Sequence, residues 1–206
     1  MKPEQGLLLV VSGPSGAGKG TICNLLRAKL PELGYSISAT TRQPRVGEVD
    51  GKNYFFKDVA TFKNMIAQGE LLEYAEVYGN FYGTPKQFVL DQLNAGKDVL
   101  LEIDIQGALQ VKQSFPQGVF VFIVPPSLKI LSERLHGRGT DTEEVIQKRL
   151  SCTVDELGYA PEYDYVLIND IAEDEAAKLY KIVEAERNRT VRRLACVEAI
   201  KANGDK

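Results

Sequence analysis

The chain has 206 residues, 44% hydrophobic and 26% charged, enough for one substantial core with room for inserted subdomains. A formal net charge of −3 leaves no overall basic field for nucleic acid or an anionic membrane, so any polyanion site must be local. No apolar run reaches membrane-spanning length and Met1–Gly6 has no signal-peptide core, so a cytoplasmic protein with neither nucleic-acid nor membrane partner is expected.

The first predicted element is a short buried strand, Leu7–Val11. It runs into Gly13-Pro14-Ser15-Gly16-Ala17-Gly18-Lys19-Gly20-Thr21. Glycines at both ends of a four-residue spacer let the backbone N–H groups turn inward around a phosphate. Lys19 adds a point charge for β- and γ-phosphates. A helix patterned on Ile22, Leu25, Leu26, Ala28 and Leu30 turns its positive end to the same oxygens. The strict phosphate-loop pattern has Ser or Thr after the lysine as a magnesium ligand; here that residue is Gly20.

From Ile37 to about Leu90 the pattern changes to short strands and turns rich in Tyr, Phe, Gly and Arg. One short helix, Val59–Gln68, is predicted there. Arg42 and Arg45 stand three residues apart in a segment that Pro44 keeps out of regular helix, and Tyr54 and Tyr82 follow. Two guanidiniums and two phenols suit a second phosphate dianion. Glu73 can only accept hydrogen bonds when ionised, so it suits a base edge with paired donors, as guanine has at N1 and N2 and adenine has not.

A second buried strand, Val99–Ile103, brings Glu102 and Asp104 to its end, where carboxylates can hold magnesium directly or through water. A helix over Ala108–Gln113 follows. Asp104-x-x-Gly107 also fits the DxxG element of GTPases, but no lysine is followed two residues later by aspartate, so the guanine-reading element of that class is missing. Then come a strand at Val119–Val124 and a helix at Leu128–Leu135. In His136–Leu150, Thr140 and Glu143 form a capping box for a helix to about Leu157, and glycines between arginines suggest a mobile lid. The last strand is Tyr165–Ile168. One long helix from about Glu173 to Ala202 carries acids early and arginines late, read mostly as a solvated face. The alternation argues for an open α/β sheet with right-handed crossovers. Cys23, Cys152 and Cys196 read as reduced structural thiols, and His136, the single histidine, as exposed and inert.

Taken together, GPSGAGKGT at Gly13–Thr21, SATTRQPRVGEVDGKNYFF at Ser38–Phe56 and LLEYAEVYGNFYGT at Leu71–Thr84 resemble the guanylate kinase family over essentially the whole chain. LEIDIQGA at Leu101–Ala108, RLHGRGTDTEEVIQKRL at Arg134–Leu150 and LIND at Leu167–Asp170 complete the likeness. The resemblance implies an α/β P-loop three-layer fold with a parallel core sheet, an inserted small mixed α+β GMP-binding subdomain and a helical lid. The core would comprise residues 1–36, 91–133 and 159–206, the GMP subdomain 37–90 and the lid 134–158. It implies phosphorylation of GMP, and of dGMP, by ATP with Mg2+, in purine metabolism. Gly13–Thr21 and Asn169 would bind ATP. Ser38, Arg42, Arg45, Tyr54, Glu73, Tyr82, Thr84 and Asp104 would bind GMP. Lys19, Arg42, Arg134, Arg138 and Arg149 would be catalytic, with Glu102 and Asp104 holding the metal mostly through water. Another P-loop kinase and a non-catalytic guanylate-kinase-like module remain as alternatives, and the oligomeric state is open.

Overall fold

The computed structural model describes residues 5–77, 79–137 and 142–203. In chain order the first elements are β1 (Leu8–Ser12), α1 (Lys19–Lys29), β2 (Gly34–Tyr35), β3 (Ala39–Thr40) and β4 (Phe55–Phe56). Next come α2 (Val59–Ala67), β5 (Leu71–Val77), β6 (Asn80–Pro85), α3 (Lys86–Asn94), β7 (Val99–Glu102) and α4 (Ile105–Ser114). The chain ends with β8 (Val119–Val124), α5 (Leu128–Gly137), α6 (Glu143–Leu157), β9 (Tyr165–Ile168), α7 (Ala172–Arg187) and α8 (Thr190–Asn203).

A five-stranded parallel sheet in the order β2-β7-β1-β8-β9 forms the middle layer. Strands buried on both faces need apolar residues throughout, which is why Leu8–Val11 and Val119–Val124 read as continuous runs. Alternate residues sort to opposite faces. Leu9 and Val11 pack with Ile22, Cys23 and Leu26 of α1 and Leu179 and Val183 of α7. Leu8 and Val10 pack with Val89 and Leu93 of α3 and Ala108 and Val111 of α4. The three-layer α/β fold expected from the sequence is the one observed, with the two-residue β2 as an unexpected edge strand.

A second, four-stranded mixed sheet in the order β4-β3-β6-β5 lies in the chain between β2 and α3. Its β5–β6 hairpin is antiparallel and sets Glu73 opposite Thr84. Helix α3 begins within the 37–90 segment yet packs on the core strand β7. Helices α5 and α6 form a hairpin around Leu131, Leu135, Ile146 and Leu150.

Three sequence expectations need correction. The long C-terminal helix is two helices. The Asn188 side-chain amide donates to the Glu184 carbonyl at 2.8 Å, taking the acceptor its own backbone N–H would use in an unbroken helix, and that N–H turns to Ala185 O instead. The start of α6 is capped at Thr142, in extended backbone and without a side-chain cap bond. Thr140 lies outside the described residues, and Glu143 pairs with His136 and Gln147 rather than closing a capping box. His136 is exposed but not inert: it ties α5 to α6 through Glu143 at 2.8 Å. Among the late arginines, Arg192 donates to Gln117 O. None of the three cysteines is in a disulfide. No helix among the described residues is long and apolar enough to cross a membrane.

Asp98, just before β7, fixes the sheet's entry edge. Its carboxylate accepts from the Leu7 backbone N–H at 2.7 Å and from Arg187 Nε of α7 at 2.5 Å. Asp98→Ala leaves that N–H and the guanidinium without their partner. It should therefore lower the folding free energy by about 1–3 kcal/mol, read as a shift of the urea midpoint without a change in slope.

Candidate active site

The loop between β1 and α1 takes its shape from residues without side chains. Gly13, at φ 142°, runs so close to β8 that a Cβ would sit 2.0 Å from Ile123 O. Gly18, at φ 90°, is the left-handed cap of α1, and a Cβ there would meet Asn169 Nδ2 at 2.1 Å. Lys19 opens the helix and curls back across the loop, its Nζ donating to Gly13 O at 2.6 Å and Pro14 O at 3.0 Å. Burial draws its pKa down, while Glu102, Glu156 and Asp104 oppose that shift.

The parallel register of β1 with β7 sets Val11 beside Glu102, so the strand end delivers Glu102 and Asp104 next to the loop. Burial raises the pKa of both. Lys19 chiefly opposes the shift at Glu102, and the backbone N–H groups of Gly107 and Gln106 chiefly oppose it at Asp104. Asp104 is the N-cap of α4, accepting from Gly107 N at 3.1 Å. The Tyr35 hydroxyl donates to Glu102 Oε2 at 3.3 Å. The other oxygen faces Gly20, where a Cβ would stand 3.3 Å away. A side chain at position 20 would therefore crowd Glu102. Two carboxylates beside an open backbone suit a hard cation held mainly through water. Among the described residues no group of three or more potential ligands is arranged as a metal cage. Glu102, Asp104 and the bare Gly20 fit Mg2+ on those terms.

The second sheet supplies the opposite side of the cleft. Glu73 is buried, and its Oε1 accepts from Thr84 Oγ1 at 2.6 Å. Burial pushes its pKa to about 7, against the pull of the Thr84 hydroxyl. Tyr54 and Tyr82 meet edge to face at 6.0 Å, and the Arg42 guanidinium stands 5.4 Å over the Tyr54 ring. Arg42 bonds Glu48 at 2.8 Å, and Glu48 also accepts from the Arg45 backbone N–H at 2.7 Å. That ion pair raises the pKa of Arg42 and lowers that of Glu48. Glu48 thus shapes the turn that carries both arginines.

A single cavity of about 590 Å3 joins these parts. Gly13, Ser15, Lys19, Glu102, Asp104 and Arg149 line one side, and Ser38, Arg45, Tyr54, Glu73 and Tyr82 the other. Thr84 is fully buried, hydrogen-bonded to Glu73, and Arg42 is engaged with Glu48. Arg149 of α6 reaches Ser15 Oγ at 3.3 Å. Arg134 of α5 donates to Asn169 O at 2.9 Å, and among the described residues its buried Nη1 has no hydrogen-bond partner. Asn169 is buried beneath the loop, where it donates to Ala17 O at 2.7 Å. Thr21 is exposed on α1. Arg138 lies outside the described residues.

Sequence reasoning gave no role to Tyr35, Glu48 or Glu156. Glu48 stood in the same motif as both arginines. Glu156 lines the cavity with Arg149 and Cys152, at spacings of three and four that put them on one face of α6, and with Tyr159 in the turn that follows. Burial raises its pKa, and Lys19 opposes that shift. Tyr35 had no local signal, because its contact with Glu102 joins neighbouring strands 67 residues apart.

The chain is similar to known proteins over nearly its whole length. The family model described as guanylate kinase matches residues 5–186. A guanylate kinase of Desulfitobacterium hafniense is 57% identical over 193 residues, covering 94% of this chain and 96% of that protein. One from Caldanaerobacter subterraneus subsp. tengcongensis is 57% identical over 189 residues, 92% of each chain. The crystal structure of guanylate kinase from Anaplasma phagocytophilum superimposes with a TM-score of 0.80 at 34% identity, over 97% of this chain and 95% of that one. The chain therefore belongs to the guanylate kinase family, kinases that phosphorylate GMP to GDP with ATP.

Proposed function

We propose that the cavity holds the phosphates of ATP and of GMP or dGMP together, and that the γ-phosphoryl group passes in line to a GMP phosphate oxygen. The observation that carries this reading is the single cavity with Lys19 and Arg149 on one side and Glu73 beside Arg45, Tyr54 and Tyr82 on the other. The acceptor oxygen is already anionic, so no general base is required. The task is to bring two repelling phosphates into line and neutralise charge as it spreads over the transferring group.

Gly13–Thr21 would cradle the ATP phosphates, with Lys19 leaving the Gly13 and Pro14 carbonyls for phosphate oxygens. Asn169 would serve ATP by fixing the loop at Ala17, near the adenine. Arg134, Arg138 and Arg149 would close over the phosphates from the segment 134–158, acting as a lid that excludes water. Arg42, Arg45, Tyr54 and Tyr82 would hold the GMP phosphate, with Glu48 bracing Arg42 at 2.8 Å. Glu73, steadied by Thr84, would accept from guanine N1–H and N2–H2, with Ser38 and Asp104 flanking the base. Glu102 and Asp104 would hold Mg2+ through water; when bound, the ion neutralises charge on the β- and γ-phosphates. Purine nucleotide metabolism is the setting such chemistry serves.

Lys19→Ala removes the cation nearest the transferring group and should lower kcat by roughly 10²–10³-fold or more, with a much smaller change in the KM for GMP. Glu73→Gln substitutes a donor for one acceptor oxygen and should shrink the preference for GMP over AMP by at least about tenfold; an unchanged ratio of kcat/KM values would sink the assignment of Glu73. The pH dependence has a definite sign. Free Glu73 titrates at about 7, whereas guanine needs the carboxylate, so protonation competes with binding. The KM for GMP should rise as pH falls from 8 to 6, by up to about tenfold per unit below 7. In Glu73→Gln only the substrate phosphate, titrating near ~6, should contribute to that rise.

A further inference from the structure

Gly107 occupies the first turn of α4, where glycine is the poorest choice short of proline for helix formation. Its backbone is helical, so no left-handed conformation calls for glycine. The neighbourhood supplies another reason. A Cβ at position 107 would lie 2.3 Å from Glu73 Oε2, 2.9 Å from Glu73 Cδ and 3.1 Å from Asp104 Oδ1.

The Glu73 side chain has little freedom to retreat. It is 4% exposed, and its Oε1 is held by Thr84 across the β5–β6 ladder. Its Oε2 lies against the bare Cα of α4. The same glycine gives its N–H to Asp104 Oδ1 and so completes the helix cap. Helix α4 therefore approaches the second sheet with one acid capping its first turn and another resting against that turn. Glycine at 107 sets the depth of the seat in which the Glu73 carboxylate rests.

We propose that Gly107 is a specificity-determining positioning residue. The missing Cβ fixes where the Glu73 carboxylate ends, and so how strongly the site favours a purine with a 2-amino group beside N1–H. This rests on Glu73 being the guanine contact. Adding a methyl at 107 presses on the tip of a side chain rather than on backbone, and alanine is the better helix former. Folding should tolerate the change while base recognition suffers, since a carboxylate moved by about 1 Å loses its alignment with paired donors.

The test is a double-mutant cycle of Gly107→Ala, Glu73→Ala and the double variant. Thermal melting, the KM for MgATP, and kcat/KM for GMP and for IMP, which lacks the 2-amino group, are measured for each. Gly107→Ala should melt close to the parent and keep the KM for MgATP within about twofold. It should raise the KM for GMP by about 10- to 100-fold, the scale of one or two hydrogen bonds to a charged group, and narrow the GMP-to-IMP ratio. In the Glu73→Ala background the same change should add less than about threefold, since its route of action is gone. Equal losses for GMP and IMP, equal effects in both backgrounds, or an unchanged KM for GMP would overturn the proposal. If Gly107→Ala fails to fold, folding of the double variant supports the contact and its failure to fold refutes it. If Glu73→Ala itself leaves the GMP-to-IMP ratio intact, the guanine reading fails instead, whatever Gly107 does.

Discussion

In the parallel ladder of the core sheet Val11 pairs with Glu102, and the chemistry of the cleft depends on that register. The chain leaves β1 to form the phosphate loop and leaves β7 to cap α4, so this one alignment brings Lys19, Glu102 and Asp104 together. A slip of one residue would reverse the faces of β7, turning Leu101 toward the loop and Glu102 toward the opposite layer. Such a slip would drive the Glu102 carboxylate into the apolar layer of Val89, Leu93, Ala108 and Val111, a desolvation cost that opposes it.

The electrostatics of the cleft follow from that convergence. Glu102, Asp104 and Glu156 all act on Lys19, and burial works against the charge on every member of the group. The lysine donates to two loop carbonyls, while Glu102 faces the bare backbone at Gly20, Asp104 caps α4 and Glu156 arrives from α6. Such an arrangement favours a polyanion that arrives with its own divalent cation. On the proposed function the ligand would take over the lysine, and a divalent cation would answer the acids. Across the cavity, no cationic side chain among the described residues acts on Glu73. Its neighbours are Thr84, the bare Gly107 and Asp104, which leaves a carboxylate whose charge is best answered by donors on a ligand.

Much of this was legible in the sequence because the signals are local. Glycine spacing in Gly13–Lys19 encodes the loop directly, and uninterrupted apolar runs encode doubly covered strands. The grouping of Arg42, Arg45 and Tyr54 is equally local, and Arg45 and Tyr54 line the cavity. What escaped depends on contacts between distant segments. The break at Asn188 does not disturb the helical spacing of apolar residues on either side, so periodicity ran straight through it; only the competition of its amide for Glu184 O reveals the stop. Tyr35 reaches Glu102 from the two-residue β2 on the neighbouring strand, too short a strand for any pattern to show. Asn169 lies in a motif that was legible, but its packing against Gly18 and Ala17 is set by β9 lying next to β8. Gly107 belonged to a motif read for its acids, and the reason for its bare Cα became visible only with Glu73 packed beside it.

The central claim is that one continuous cavity holds both nucleotides with their phosphates meeting between Lys19 and Arg45. It is tested most directly by inhibition with a compound that joins adenosine and guanosine through a chain of five phosphates. A single cavity requires the compound to compete with both ATP and GMP and to bind far more tightly than either nucleotide alone. Competition with only one of them, at an affinity no better than that nucleotide's own, would contradict it.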